Sequence, residues 1–170
     1  MAFNPCIYPA QLLLPKEGTD LAAWACVACD QFTSQPEYWQ DVALQVGNKP
    51  SAYRIILPEC YLDKSAELIP GIHQTMADYL ADGTLVPAVE NGFVLVERIT
   101  PSGARLGLVG MLDLECYDNK PGTKPLCRAS EGTIFERIPP RVKIRQGAPL
   151  ESAHDAAHGR PHAERGGTPV

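Results

Sequence analysis

The amino-acid sequence predicts an α/β protein with a mixed sheet, a prominent antiparallel hairpin and flanking helices. Apolar residues recur at helical spacing in one segment, and two strand-like runs follow it around a turn at Pro101–Gly103. The last twenty residues contain no Ile, Leu, Met, Phe, Trp or Tyr, so they cannot bury enough apolar surface to become ordered. We therefore expect one domain over residues 1–151 and a disordered tail over residues 152–170.

The first half of the chain alternates strand-like and helical segments. Trp24–Asp30 is a short apolar run that predicts a strand, and the polar residues after it predict a helix. Ser34 is the expected N-cap of that helix because its side chain can accept a backbone hydrogen bond, and Pro36 suits the first turn. A second strand is predicted over Tyr53–Leu57, where Pro58 ends it.

The second half of the chain begins with a helix predicted over Pro70–Leu80, which Gly83 ends. His73 lies on this helix beside core positions and is interpreted as a structural residue. Two strands are then predicted over Phe93–Ile99 and Arg105–Tyr117, and the turn between them indicates a hairpin.

Three carboxylates lie near the end of the second hairpin strand. If Arg105–Tyr117 is one continuous strand, Asp113 and Glu115 share a face and lie about 7 Å apart. With Asp118, they could bind a divalent cation through oxygen ligands or act as general acid and base. The alternative is a solvated strand face beside a turn. We take Asp113 and Glu115 as candidate catalytic residues and assign no specific metal ligand.

The segment Arg128–Arg145 is basic, although the whole chain has a net charge of -5. It contains five basic and two acidic residues, which gives a local balance of +3. Arginine side chains suit phosphate or carboxylate groups, and the hydroxyls of Ser130 and Thr133 flank a glycine at which a ligand can approach the backbone. The segment therefore predicts an anion-binding loop. The alternative is that Glu131 and Glu136 form structural ion pairs with nearby arginines.

Composition limits the classes of partner and the location. An acidic chain does not favour general binding to nucleic acid or to anionic membranes. The sequence contains neither a membrane-spanning apolar stretch nor a secretory signal, so we expect a cytoplasmic protein. The six cysteines lie in apolar or strand-like runs and are interpreted as buried structural thiols, including the Cys26–Cys29 CxxC pair.

Several long strings resemble the bacterial and archaeal family called domain of unknown function 1015. They are Leu13–Lys16, Trp24–Trp39, Ile56–Glu59, Leu106–Gly110 with Asp113–Glu115 and Tyr117–Asp118, and Arg128–Arg145. The resemblance covers nearly everything up to Glu151 and implies no established activity. Cys26 stands where the family pattern has valine, and Cys127 where an aliphatic residue is usual. Family members are longer and carry a downstream Gly-His-His-Arg-like stretch that has no counterpart here, so the domain is expected to be incomplete.

That downstream motif is distantly similar to ParB and sulfiredoxin-type domains, which bind phosphate or nucleotides, and this analogy favours a small phosphorylated ligand. The resemblance implies that three arginines hold its anionic groups and that Glu131 and Thr133 orient the ligand or a metal. The arginines are Arg128, Arg137 and Arg141. Asp30, Asp113 and Glu115 are the candidates for metal binding or acid–base catalysis. The cofactor and the oligomeric state are unknown.

The resemblance also predicts a change of reading frame near residue 152. The family continues there with a strand and an acidic turn similar to LPHxMLLIDDP. Codons that encode Asp155–Pro161 can give Met-Leu-Leu-Met-Asp-Asp-Pro when they are read one nucleotide later. We expect a truncated product or an error in gene assignment, which resequencing past the stop codon tests. The favoured function is binding or processing of a small phosphorylated ligand or nucleotide by the full-length protein. The alternatives are a non-enzymatic structural or interaction module and an inactive fragment.

Overall fold

The described residues form short strands and four α-helices. The computed structural model describes residues 6–118, 120, 122–128 and 135–152. The helices are α1 (Leu21–Trp24), α2 (Pro36–Val46), α3 (Ser65–Ala81) and α4 (Ile138–Arg145). The strands are β1 (Ile7–Tyr8), β2 (Ala10–Pro15), β3 (Leu85–Gly92), β4 (Val94–Thr100), β5 (Gly103–Val109), β6 (Met111–Leu112), β7 (Tyr117–Asp118) and β8 (Cys127–Arg128). Short 3-10 helices span Ala52–Ile55, Glu59–Lys64, Leu114–Cys116 and Phe135–Arg137.

The predicted α/β class is confirmed. The described strands form four two-stranded sheets, which pair β1 with β6, β2 with β3, β4 with β5 and β7 with β8. The β1–β6 and β4–β5 pairs are antiparallel, and the β7–β8 pair is parallel. None of the described helices is both long and apolar enough to span a membrane.

The described residues belong to two compact units. The first unit contains residues 6–10, 93–118, 120 and 122–128, and the second contains residues 11–92 and 135–152. All four helices belong to the second unit, whereas the β4–β5 hairpin belongs to the first. The expectation of a single domain over residues 1–151 stays a prediction, and the tail beyond residue 152 lies outside the described residues.

Helix α3 supplies much of the core of the second unit. The predicted helix is confirmed and begins five residues earlier than expected, at Ser65. Its residues Ile72, Met76 and Tyr79 are buried, at spacings of four and three residues that place them on one face. They pack in one cluster with the buried side chains of Ile55, Leu57 and Leu85.

The two strands predicted in the first half of the chain are wrong. Trp24 ends helix α1, whose N-cap Asp20 accepts hydrogen bonds from the backbone N–H groups of Ala22 and Ala23. The Tyr53–Leu57 segment instead contains a 3-10 turn, which Ser51 caps through a hydrogen bond from the Tyr53 N–H. Both segments are short apolar runs, and such runs do not by themselves distinguish a strand from a buried turn. Pro36 lies in the first turn of helix α2 as predicted, but the N-cap is Gln35 and not Ser34, so the helix begins one residue later than a Ser34 cap implies.

The predicted hairpin is confirmed. Strands β4 and β5 pair in antiparallel register from Val94 opposite Val109 to Thr100 opposite Gly103. Pro101 and Ser102 form the two-residue loop, and Gly103 adopts a φ of 126°, which a residue with a side chain rarely adopts. The local turn signal therefore predicted the pairing of the two segments on either side of Pro101–Gly103 correctly.

The continuous strand predicted over Arg105–Tyr117 is wrong. It is interrupted at Gly110 and again by the 3-10 turn Leu114–Cys116. A Cβ atom at Gly110 would lie 2.9 Å from both the Phe93 ring and the carbonyl oxygen of Tyr8, so a side chain there would clash. Because the turn breaks the alternation of side chains, the inference that Asp113 and Glu115 share a strand face is also wrong.

Candidate functional site

An ion pair between Arg141 and Glu59 is the central feature of the candidate site in the second unit. Glu59 follows a buried apolar run and begins a 3-10 helix, and its backbone N–H donates to the carbonyl oxygen of Cys29 at 2.8 Å. The Glu59 side chain is 4% exposed and accepts a hydrogen bond from Nη2 of Arg141, whose side chain is 40% exposed. A nearly buried carboxylate therefore orients a partly exposed guanidinium.

Helix α4 carries Arg141 and is held in place by packing within the second unit. Its second and third residues are Pro139 and Pro140, which suit the first turn of a helix because no intrahelical N–H bond is required there. His73 Nε2 on α3 lies 2.6 Å from the carbonyl oxygen of Ile144, and Ile144 packs against the core cluster. This contact agrees with the interpretation of His73 as a structural residue, and it holds the helix that positions Arg141.

The electrostatic surroundings of Arg141 are acidic. The hydrogen bond to Glu59 raises the pKa of Arg141 above its usual value, and the negative charges of Glu59 and Asp30 add to this effect. Arg141 is therefore a permanent cation. Asp30 and Arg141, which are both site residues predicted from the sequence, are therefore close enough to interact electrostatically.

One donor of Arg141 is left without a protein partner. Of the buried side-chain nitrogen and oxygen atoms in the described part of the chain, Arg141 Nε makes no hydrogen bond. A buried polar group without a partner costs about 1–3 kcal/mol, so such groups are rare in folded proteins. The Arg141 side chain is nevertheless 40% exposed, so a ligand would contact it through its accessible atoms and not through Nε.

The CxxC thiols near the ion pair are not activated. Burial raises the pKa of Cys26 to about 11, and the neighbouring Cys29 adds to the increase. Burial also raises the pKa of Cys29, although the charge of Arg141 acts in the opposite direction. Both groups are therefore thiols at neutral pH, which supports the structural interpretation of this pair.

The remaining predicted site residues either belong to the first unit or have no described side chain. Asp113 and Glu115 lie in the first unit, and only the backbone is described for Arg128 in β8 and for Arg137 in a 3-10 turn. Three further candidates, Ser130, Glu131 and Thr133, lie outside the described residues. Sequence reasoning missed Glu59 as a site residue, although an acidic residue two positions after the apolar Ile55–Leu57 run was an available signal.

The described carboxylates near the hairpin stabilise turns. Asp113 Oδ1 accepts a hydrogen bond from the Glu115 N–H at 3.0 Å and caps the 3-10 turn. Asp118 Oδ1 accepts one from the Lys120 N–H at 2.9 Å. The catalytic role of Asp113 and Glu115 stays a prediction, but the strand geometry that suggested it is absent.

A separate cavity of about 320 Å³ lies beside α1 and α2. Lys49 and Asp20 line it and form an ion pair at 2.7 Å, so the lysine charge is neutralised by its neighbour. The lining residues include neither Asp30 nor Arg141. The cavity is therefore distinct from the Arg141–Glu59 cluster.

Comparison with known proteins identifies the family. No curated protein and no solved structure matches the chain. A family model described as "Protein of unknown function (DUF1015)" matches residues 7–154, which covers both described units and the Arg141–Glu59 pair. The match spans most of the 170 residues, and the chain therefore belongs to the DUF1015 family.

Proposed function

We propose that this protein binds a small phosphorylated ligand or nucleotide and that Arg141 contacts its anionic group. The observation that carries the proposal is an arginine side chain that is 40% exposed and is held in place by the nearly buried carboxylate of Glu59. Arginine presents five N–H donors in a planar fork, so an arginine that is fixed by one carboxylate retains donors for an oxyanion. Such a pre-oriented fork loses less side-chain entropy when a ligand binds.

The charges around Arg141 favour a ligand that carries an anionic group and also a part that can donate hydrogen bonds. Residues 135–145 contain four basic side chains and one acidic side chain, although Arg145 also pairs with Glu151 at 2.9 Å. The negative charge of Asp30 would repel an anion bound close to it, but its carboxylate can accept hydrogen bonds from hydroxyl groups of a ligand. The expected ligand therefore combines a phosphate with hydroxyls, as a nucleotide does.

Ligand processing is a separate proposal. It would use Asp113, Glu115 and Glu131 as acid–base groups, and Arg128, Ser130, Thr133 and Arg137 would join Arg141 in binding. Asp113 already accepts a backbone hydrogen bond in its turn, so binding is the step to test first.

Thermal unfolding with a panel of anions tests the binding proposal. The panel contains inorganic phosphate, pyrophosphate and ATP, with sulfate as the ionic control. A ligand at a hundred times its dissociation constant adds about 2.7 kcal/mol to the free energy of unfolding, which raises the melting temperature by roughly 5–10 °C for a domain of this size. No shift with any phosphate compound would contradict the proposal.

Two variants localise the effect. Arg141→Lys keeps the positive charge but removes Nε and the planar fork, so we expect it to abolish most of the phosphate-dependent shift. Lys143→Ala on the same helix removes an exposed cation and is the matched control, with the shift retained. Equal losses in both variants would indicate attraction by general charge and would argue against a site at Arg141.

A structural module is the second candidate function, and the burial of Glu59 favours it. If the ion pair only stabilises the fold, Arg141→Lys will lower the free energy of unfolding equally with and without phosphate compounds. Removing one partner of a pair that is partly exposed should cost about 1–3 kcal/mol. Unfolding in urea with and without each anion separates this role from ligand binding.

A further inference from the structure

Three cysteines from separate parts of the chain meet in the first unit. Cys6 precedes β1, Cys116 ends a 3-10 turn, and Cys127 lies in β8. The sulfur atoms of Cys6 and Cys127 are 2.9 Å apart. The thiol of Cys116 lies close enough to Cys6 and Asp113 for both to raise its pKa. We call these three residues the thiol cluster.

Backbone pairing brings the thiol cluster together. In the β1–β6 pair Ile7 lies opposite Leu112, and the Asp113 N–H donates to the carbonyl oxygen of Cys6 at 2.9 Å. In the β7–β8 pair Tyr117, the residue after Cys116, lies opposite Cys127. Two strand pairings therefore bring residues 6 and 127 to the same short segment of chain.

The geometry of the thiol cluster suits a disulfide better than a metal. Within residues 6–118, 120, 122–128 and 135–152, no group of three or more His, Cys, Asp or Glu side chains is arranged to hold a metal ion. A disulfide has a sulfur–sulfur distance of about 2.05 Å, so the Cys6 and Cys127 sulfurs must approach by about 0.9 Å. Small side-chain rotations supply such a movement without a change in strand pairing.

We propose that Cys6 and Cys127 form a reversible disulfide when the protein meets a low-molecular-weight disulfide such as oxidised glutathione. One protein thiolate attacks a sulfur of the oxidant, and one small thiolate leaves. The second protein thiol then loses its proton and attacks the protein sulfur of the mixed disulfide, which expels the second small thiolate. The two protein thiols lose two electrons and two protons, and the oxidant is reduced to two thiols.

Oxidation of the thiol cluster is slow at neutral pH because little of the attacking thiolate is present. The hydrogen bond with Cys127 and burial raise the pKa of Cys6, and the charge of Asp113 adds to this effect. Burial and the Cys6 and Asp113 neighbours raise the pKa of Cys116. Because the thiolate is the attacking species, oxidation should accelerate as the pH rises. In the cytoplasmic location predicted from the sequence, the disulfide would form under oxidative conditions and be reversed afterwards.

Disulfide mapping of the full chain tests the proposal. Reduced protein is equilibrated with mixtures of reduced and oxidised glutathione, alkylated, and digested without reductant by a protease that cleaves before aspartate. This protease separates Cys6 (residues 1–19), Cys116 (113–117) and Cys127 (118–154), whereas trypsin does not, because Lys120 and Lys124 precede proline. We expect the free thiols to fall from six to four, with residues 1–19 linked to residues 118–154. A dominant linkage of any other pair, or none, would overturn the proposal.

Cysteine variants check the assignment, although the mapping of the unaltered chain already decides it. Cys6→Ser should retain five free thiols under the same oxidation, since Cys127 has lost its partner. Cys60→Ser, which alters a cysteine of the second unit, is the matched control and should leave the linkage unchanged. In Cys6→Ser, Cys127 could form a disulfide with Cys116 instead. If that disulfide forms as readily as the Cys6–Cys127 disulfide of the unaltered chain, the preference for Cys6 is contradicted.

Discussion

The two units differ in how they use their apolar residues. The second unit buries Trp39, Leu57 and Met76 almost completely. In the first unit Ala10 is the one buried residue among those whose exposure the structure describes, and Ile99 and Leu106 on the hairpin are 79% and 67% exposed. Helices bury a continuous stripe against one another, whereas a two-stranded hairpin presents two faces and buries little by itself.

The two units depend on different interactions. Burial of apolar surface stabilises the second unit, and backbone pairing with the thiol cluster is the main interaction described in the first. Regions with few buried contacts open at low free energy. We therefore expect the first unit to exchange its amide hydrogens faster than the second.

The largest effect is expected at the core of the second unit. Met76 is 1% exposed, so Met76→Ala removes buried methylene groups and leaves a cavity, at a cost of about 2–5 kcal/mol. Leu44→Ala is the control, because Leu44 is 79% exposed on α2 and should change stability by less than about 0.5 kcal/mol. Urea unfolding measures both variants. Similar decreases in the free energy of unfolding of the two variants would contradict the assignment of the core to α3.

Oxidation should reduce the difference in amide hydrogen exchange between the two units. The Cys6–Cys127 linkage would join residues 121 positions apart and restrict the unfolded ensemble, so local opening of the first unit should fall by roughly a hundredfold. Hydrogen exchange of oxidised and reduced protein measures this change. Protection that increases as much in Cys6→Ser under the same oxidant would show that the linkage is not the cause.

A buried hydrogen-bond pair should contribute less than the apolar core. The Tyr79 hydroxyl accepts from the Ser51 N–H at 2.9 Å and donates to the Ser51 carbonyl oxygen at 3.3 Å. Tyr79→Phe leaves that N–H buried without its partner, which should cost about 1–3 kcal/mol. Tyr61→Phe removes an exposed hydroxyl bond to Pro36 and is the control, with a smaller loss in urea unfolding. Equal losses would mean that burial does not decide the contribution of these bonds.

The smallest effect is expected in the hairpin, where two like charges lie opposite each other. Arg98 and Arg105 are cross-strand partners and both are exposed. Arg105→Glu replaces repulsion with attraction and should stabilise the hairpin by about 0.2–1 kcal/mol, with a smaller gain in Arg105→Gln. Hydrogen exchange at low and high salt measures the gain, which should shrink at high salt. If the increase in hairpin stability does not depend on salt, its cause is the β-strand propensity of the new residue and not the change of charge.

Sequence patterns predicted the elements that local chemistry controls. The apolar spacing of Ile72, Met76 and Tyr79 predicted α3, and the Pro101–Gly103 turn predicted the hairpin. Predictions failed where a short apolar run had no period, as at Trp24–Asp30 and Tyr53–Leu57. They also failed where a strand was assumed to continue past Gly110, because the close approach of Phe93 and Tyr8 to this glycine arises only after the chain has folded.

By itself, the sequence determined the α/β class, the DUF1015 membership and the basic character of Arg128–Arg145. Only the tertiary structure decided that Arg141 pairs with Glu59, 82 residues away, and that Cys6 meets Cys127, 121 residues away. Local propensities and turn preferences act over a few residues, so they appear in the sequence as spacing. Contacts between distant segments depend on the path of the folded chain, and no spacing along the sequence records that path.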